Sequence, residues 1–215
     1  MTSQIIGKLL IVPGIIIGLT VHEFAHAKVA YLMGDDTADS LGRCSLNPMR
    51  HIDWIGLICL FFMGFGWGKP VPVNPWNLTG KNRKLKQVAI SAAGIVTNFI
   101  VALIFAILMG VLLKVYPGIQ YDTSVMGYIY LMVAYTMQIN IVLMIFNLIP
   151  IPPLDGFNIV AEITSFDETP LYQKLLQFGS IILIVLLVTN VISYILTPGI
   201  EITLSLFDRI IGLIF

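Results

Sequence analysis

Charge is what this chain has least of. Its 12 basic and 12 acidic residues amount to 11% of 215 positions, whereas a soluble domain carries roughly a quarter. That shortfall excludes an ordinary water-facing surface. The net charge is zero and no basic stripe with interleaved aromatics is present, so nucleic acid is not an expected partner. Cysteine is almost missing: Cys44 and Cys59 form no CxxC pair and support neither a disulfide framework nor a redox compartment. Histidine occurs three times in all. No internal repeat or low-complexity tract breaks the chain. No A-x-A-like cleavage site follows Lys8 and its apolar stretch, so the N-terminal segment reads as a retained membrane helix rather than a signal peptide.

What is abundant is apolar length. Hydrophobic residues make up 57% of the chain and the mean hydropathy is +0.91, which places it in the membrane class. The first apolar segment runs from Ile5 to Met33, with Pro13-Gly14 as a kink or helix start, and Gly34-Asp35-Asp36 ends it. The next apolar run, residues 55 to 65, is short for a span and suits a re-entrant hairpin. Lys69-Pro70-Val71-Pro72-Val73-Asn74-Pro75 is expected to be extended, because each proline biases its predecessor toward β or polyproline geometry. Further spans are expected at 88 to 113, 125 to 149 and 175 to 196. The tail from 201 to 215 is expected to lie in the interface or to form a last short span. The whole, 1 to 215, reads as one membrane-embedded domain, with a core over 5 to 165 and C-terminal helices over 171 to 215.

Basic residues orient the chain. Lys28, Arg43, Arg50, Lys69, Lys81, Arg83, Lys84 and Lys86 fall on one side if 55 to 65 turns back, and only Lys114 flanks a span opposite. This places residues 34 to 87 in the cytoplasm. His22-Glu23-Phe24-Ala25-His26 and the loop around Asp155 then lie toward the cytoplasmic ends of their helices.

His22-Glu23-Phe24-Ala25-His26 is an H-E-x-x-H sequence. On a helix, positions i and i+4 share a face, so both imidazoles can reach one zinc ion. Glu23 is then free to take a proton from metal-bound water. Three ionisable groups within five residues of a membrane helix are expensive without a function. Catalytic zinc commonly has three protein ligands, and His51 and Asp155 are the candidates for the third. Asp155 follows Asn147-Leu148-Ile149-Pro150-Ile151-Pro152-Pro153-Leu154, where irregular backbone at membrane depth requires a buried or watered cavity. On the residues alone, a helix N-cap explains Asp155 as well as a ligand does.

Together with Gly42-Arg43 through His51-Ile52-Asp53, Lys69 to Pro75, Ala93-Gly94 with Asn98, and Asn147 through Asp155-Gly156, the H-E-x-x-H element resembles the site-2 protease family of intramembrane zinc metalloproteases, in its short prokaryotic form. One departure is Ile95, where the family often has proline. The resemblance implies that His22, His26 and Asp155 bind one zinc ion per chain and that Glu23 is the general base. It also implies that Asn147 stabilises the oxyanion or positions substrate. Asn98 and Asn140 are expected to join helices, and His51 to support the site rather than ligate. Val71 and Val73 could offer a strand edge to unwound substrate. The expected architecture is an all-α polytopic membrane protein: a bundle of about four to six transmembrane helices, a re-entrant hairpin, and a short extended segment between the ligand-bearing helices. The expected partners are transmembrane-helix protein substrates and the bilayer, and the expected location is the prokaryotic cell membrane. The rival readings are a metal transporter using the same ligands and a catalytically silent homologue.

Overall fold

A computed structural model describes residues 2–63, 66–78 and 80–214. Eight α-helices stand among them: α1 (Thr2–Leu32), α2 (Thr37–Ser40), α3 (Trp54–Met63), α4 (Arg83–Val115), α5 (Val125–Leu148), α6 (Asp155–Thr164), α7 (Pro170–Val188) and α8 (Val191–Ile214). Five of these, α1, α4, α5, α7 and α8, are long and apolar enough to cross a membrane. The protein is an all-α polytopic membrane protein.

The core is the packing of α1, α4 and α5. Lipid gives no hydrophobic drive for one helix to seek another, so close approach depends on small residues. Gly14 and Gly18 supply it on one face of α1: a Cβ at Gly14 would lie 2.9 Å from Thr136 Cα, and one at Gly18 would lie 2.6 Å from Leu143 Cδ1. On α4, Ala102 and Ala106 are buried against Met137 and Ile141 of α5, and Phe207 of α8 closes this cluster.

Residues 52 to 69 make an excursion from the bundle. α3, ten residues long, is too short to span a bilayer. The chain returns to where it left, with Ile52 bridging Gly68 antiparallel and Lys69 N–H donating to His51 O at 2.7 Å. The far end reaches the start of α1, where Lys8 Nζ donates to Phe61 O at 3.1 Å. The described residues thus have hairpin form. Residues 64 and 65 of the expected hairpin lie outside the described residues.

The C-terminal region corrects the sequence expectation. A single span over 175 to 196 is not present; α7 ends at Val188 and α8 begins at Val191. Between them Thr189 Oγ1 donates back to Val185 O at 2.7 Å and Asn190 adopts φ 61°, a left-handed geometry that asparagine tolerates. Most of the 201-to-215 tail belongs to α8, which contains Pro198.

Candidate metal centre

α1 brings His22 and His26 to one face, one helical turn apart. Each imidazole is tethered through Nδ1. His22 Nδ1 lies 2.6 Å from Asn98 Oδ1, and His26 Nδ1 lies 2.7 Å from Ile90 O. A backbone carbonyl can only accept, so His26 carries its proton on Nδ1. For His22 the assignment runs further. Asn140 Nδ2 donates to Thr136 O at 2.8 Å, which leaves Asn140 Oδ1 to accept from Asn98 Nδ2 at 2.9 Å. Asn98 Nδ2 also reaches Gly18 O at 3.2 Å. Asn98 must therefore present oxygen to His22, and His22 too is protonated on Nδ1. Both Nε2 atoms are left with lone pairs.

The residue that meets them is Asp155. The prolines after Leu148 end α5, and the chain restarts as α6 with Leu154 in the N-cap position. Asp155 does not hold that cap position. Its Oδ2 lies 3.2 Å from His22 Nε2 and 3.2 Å from His26 Nε2, while the two Nε2 atoms are 3.0 Å apart. Three lone-pair donors thus converge in a buried place, all within 4.8 Å of one another. Asp155 Oδ2 has no hydrogen-bond partner. Converging acceptors repel unless a cation stands among them, and two imidazoles with one carboxylate form a donor set suited to zinc.

α4 is shaped to admit the two rings. A Cβ at Gly94 would lie 2.6 Å from His26 Nε2 and closer still to the His22 ring, so no side chain fits there. Glu23 shares a cavity of about 430 Å³ with these residues, along with Asn147, Pro70, Val71 and Val73. Its Oε2 accepts from Val71 N–H at 2.9 Å. Asn147 Nδ2 donates to Leu143 O at 2.9 Å, one turn back on its own helix. The non-helical segment carrying Val71 and Val73 is pinned at two further points. Arg43 Nη2 donates to Lys69 O at 2.7 Å and Pro70 O at 3.2 Å, and Asn74 N–H donates to Asp35 Oδ2 at 2.7 Å.

His51 lies elsewhere. It is fully buried, with Nε2 2.6 Å from Ser45 O, and it is not among the residues lining the cavity. Sequence reasoning did not single out Asp35. Burial opposes its ionisation, yet hydrogen bonds from Thr37, Asn74 and Asn77 hold its carboxyl below the usual carboxylate range. In the sequence it stood only within Gly34-Asp35-Asp36, the stretch expected to end the first apolar segment.

A two-histidine, one-carboxylate donor set, opening on a polar cavity inside a bundle of membrane-length helices, is the arrangement that a metal-dependent hydrolase built within the bilayer would use. The family model described as Peptidase family M50 matches residues 10–190. A Bacillus subtilis (strain 168) protein named as a zinc metalloprotease, YwhC, is 38% identical over 200 residues, which cover 91% of this chain and 90% of that one. Rip2 of Mycolicibacterium smegmatis (strain ATCC 700084 / mc(2)155), also named as a zinc metalloprotease, is 26% identical over 192 residues, covering 86% of this chain and 69% of that one. No solved structure gives a significant match. The chain belongs to peptidase family M50, the site-2 protease family, and is a multi-pass intramembrane zinc metalloprotease.

Proposed function

We propose that the cavity between α1, α4 and α6 hydrolyses peptide bonds within or beside the transmembrane helices of membrane-protein substrates. His22, His26 and Asp155 hold one zinc ion per chain, and Glu23 is the general base. The observation that carries this reading is Asp155 Oδ2, buried without a hydrogen-bond donor and 3.2 Å from both Nε2 lone pairs. Zinc bound there supplies Lewis acidity toward a carbonyl oxygen and a water. Glu23 takes the proton of the attacking water and returns it to the leaving amine. Its hydrogen bond to Val71 N–H keeps the carboxylate beside the metal ligands. Asn147 supplies an amide at the cavity wall; releasing Leu143 O would aim that donor at charge developing on the carbonyl oxygen.

A helical substrate hides its carbonyls in its own hydrogen bonds and must unwind to be cut. The segment bearing Val71 and Val73 lines the cavity, and Val73 N–H donates to no group among the described residues. An extended substrate can pair with it by strand addition. His51 supports this wall through the loop from Ser45 rather than touching substrate. The domain is a single unit over 1 to 215, with α8 packed on the core. It sits in the prokaryotic cell membrane with the cavity toward the cytoplasm.

The test is Glu23→Gln in purified protein, with zinc content measured beside cleavage of a membrane-embedded helical substrate. The expected outcome is retained zinc with a loss of cleavage on the order of 10²- to 10⁴-fold. Persistent cleavage would remove Glu23 from the mechanism. Stoichiometric zinc without peptidase activity in the wild type, together with metal flux in vesicles, would instead make the protein a transporter.

A further inference from the structure

The cavity continues past the metal ligands to a second polar end that hydrolysis does not use. Asp155, Asn158 and Glu162 lie on one face of α6, and all three line the cavity. Glu162 stands two turns beyond Asp155, roughly 10 Å along the helix. Glu162 is 6% exposed. Gln87 of α4 donates to Glu162 Oε1, but Oε2 is buried with no partner. The nearby basic groups are engaged elsewhere: Lys84 pairs with Glu168 at 2.6 Å, and the Arg83 guanidinium lies 4.8 Å from the centre of the Trp76 ring. Among the described residues no lysine or arginine lines the cavity, whereas Glu23, Asp155 and Glu162 all do.

A buried carboxylate oxygen without a donor is a costly arrangement that an incoming cation would relieve. Burial, then the neighbouring Asp167 carboxylate, pushes the Glu162 carboxyl up to about 7, so Glu162 carries at most a partial charge until a cation arrives. Substrate chemistry can supply one. Lysine and arginine concentrate at the cytoplasmic ends of transmembrane helices, the ends that a cytoplasm-facing cavity would receive. At about 3.3 Å per residue in an extended strand, roughly 10 Å corresponds to three residues.

We propose that Glu162, with Gln87, forms a specificity subsite for a lysine or arginine side chain of the substrate, about three residues from the cleaved bond. The subsite rests on the cavity being the proteolytic site.

The experiment uses the full-length, zinc-loaded enzyme in detergent or liposomes. The substrates are a single-span helical protein carrying lysine or methionine at each successive position of its cytoplasmic flank. The expected result is one flank position where lysine raises kcat/KM over methionine by about tenfold, as a charge-assisted hydrogen bond would. In Glu162→Gln that ratio falls to within about twofold, and in Glu162→Lys it inverts when glutamate replaces lysine in the substrate. Binding to the Glu23→Gln protein gives a second readout: lysine should tighten Kd at the same position, and Glu23→Gln with Glu162→Gln should not show this. A wild type indifferent to lysine, or a preference that survives Glu162→Gln, overturns the subsite while leaving the protease reading intact. No cleavage of any substrate by the zinc-loaded wild type overturns both.

Discussion

The proton on His22 is assigned by a chain of amides that ends on a backbone carbonyl. Thr136 O sets Asn140, Asn140 sets Asn98, and Asn98 Oδ1 receives Nδ1–H of His22. The same contacts tie α5 to α4 and α4 to α1. Asn98→Ala is therefore expected to weaken zinc binding about 10- to 100-fold, the usual cost of removing a group that orients a ligand, measured by competition with a chelator of known affinity. Gly94→Ala should do at least as much, because its Cβ would overlap both imidazoles. The HEFAH pentapeptide made His22, Glu23 and His26 legible in the sequence, since helical spacing alone sets two imidazoles side by side. Asn98 was legible only as a residue joining helices. That one amide both joins helices and sets a tautomer depends on a contact 76 positions apart, which no local pattern encodes.

At the scale of elements, the wall from Lys69 to Asn74 is held at its start by Arg43, at Val71 by Glu23 and at Asn74 by Asp35. Asp35→Ala removes the last anchor and leaves the proposed metal ligands, His22, His26 and Asp155, untouched. It should accelerate hydrogen exchange of the Asn74 amide and lower kcat/KM at unchanged zinc content, by about tenfold or more if the wall shifts by an ångström. Val73→Pro removes a donor that no group among the described residues uses. It should impair cleavage of unwound substrate while zinc stays bound; undiminished cleavage would mean that substrate does not pair with this segment. The prolines made the non-helical character of the wall legible, because they restrict the backbone locally. Its three anchors were not, since each comes from a different part of the chain. The division between α7 and α8 was equally hidden. Apolar residues run through 175 to 196 without a charge, and the break rests on a left-handed asparagine rather than on a change in hydropathy.

At the scale of the whole molecule, the order of the five candidate spans bears on the proposed orientation of the cavity. If the His26 end of α1 faces the cytoplasm, alternation places the start of α4, the end of α5, the start of α7 and the end of α8 on the same side. Lys174 and Arg209 then join the eight basic residues already assigned there, so ten of the 12 basic residues fall on one side, against Lys8 and Lys114 on the other. The excursion that carries α3 adds no crossing, because it leaves and returns at the bridge between Ile52 and Gly68. Had residues 52 to 69 crossed instead, α4 would start on the far side and the 12 basic residues would divide four against eight, a weaker bias than ten against two. The two topologies differ most clearly at Tyr121, exposed between α4 and α5. With Cys44 and Cys59 replaced by serine, a single cysteine at position 121 should react with a membrane-impermeant maleimide in intact cells. A cysteine at position 168, exposed between α6 and α7, should react only after the membrane is opened. The reverse pattern would turn the cavity outward and remove the basis for a substrate flank rich in lysine and arginine at Glu162.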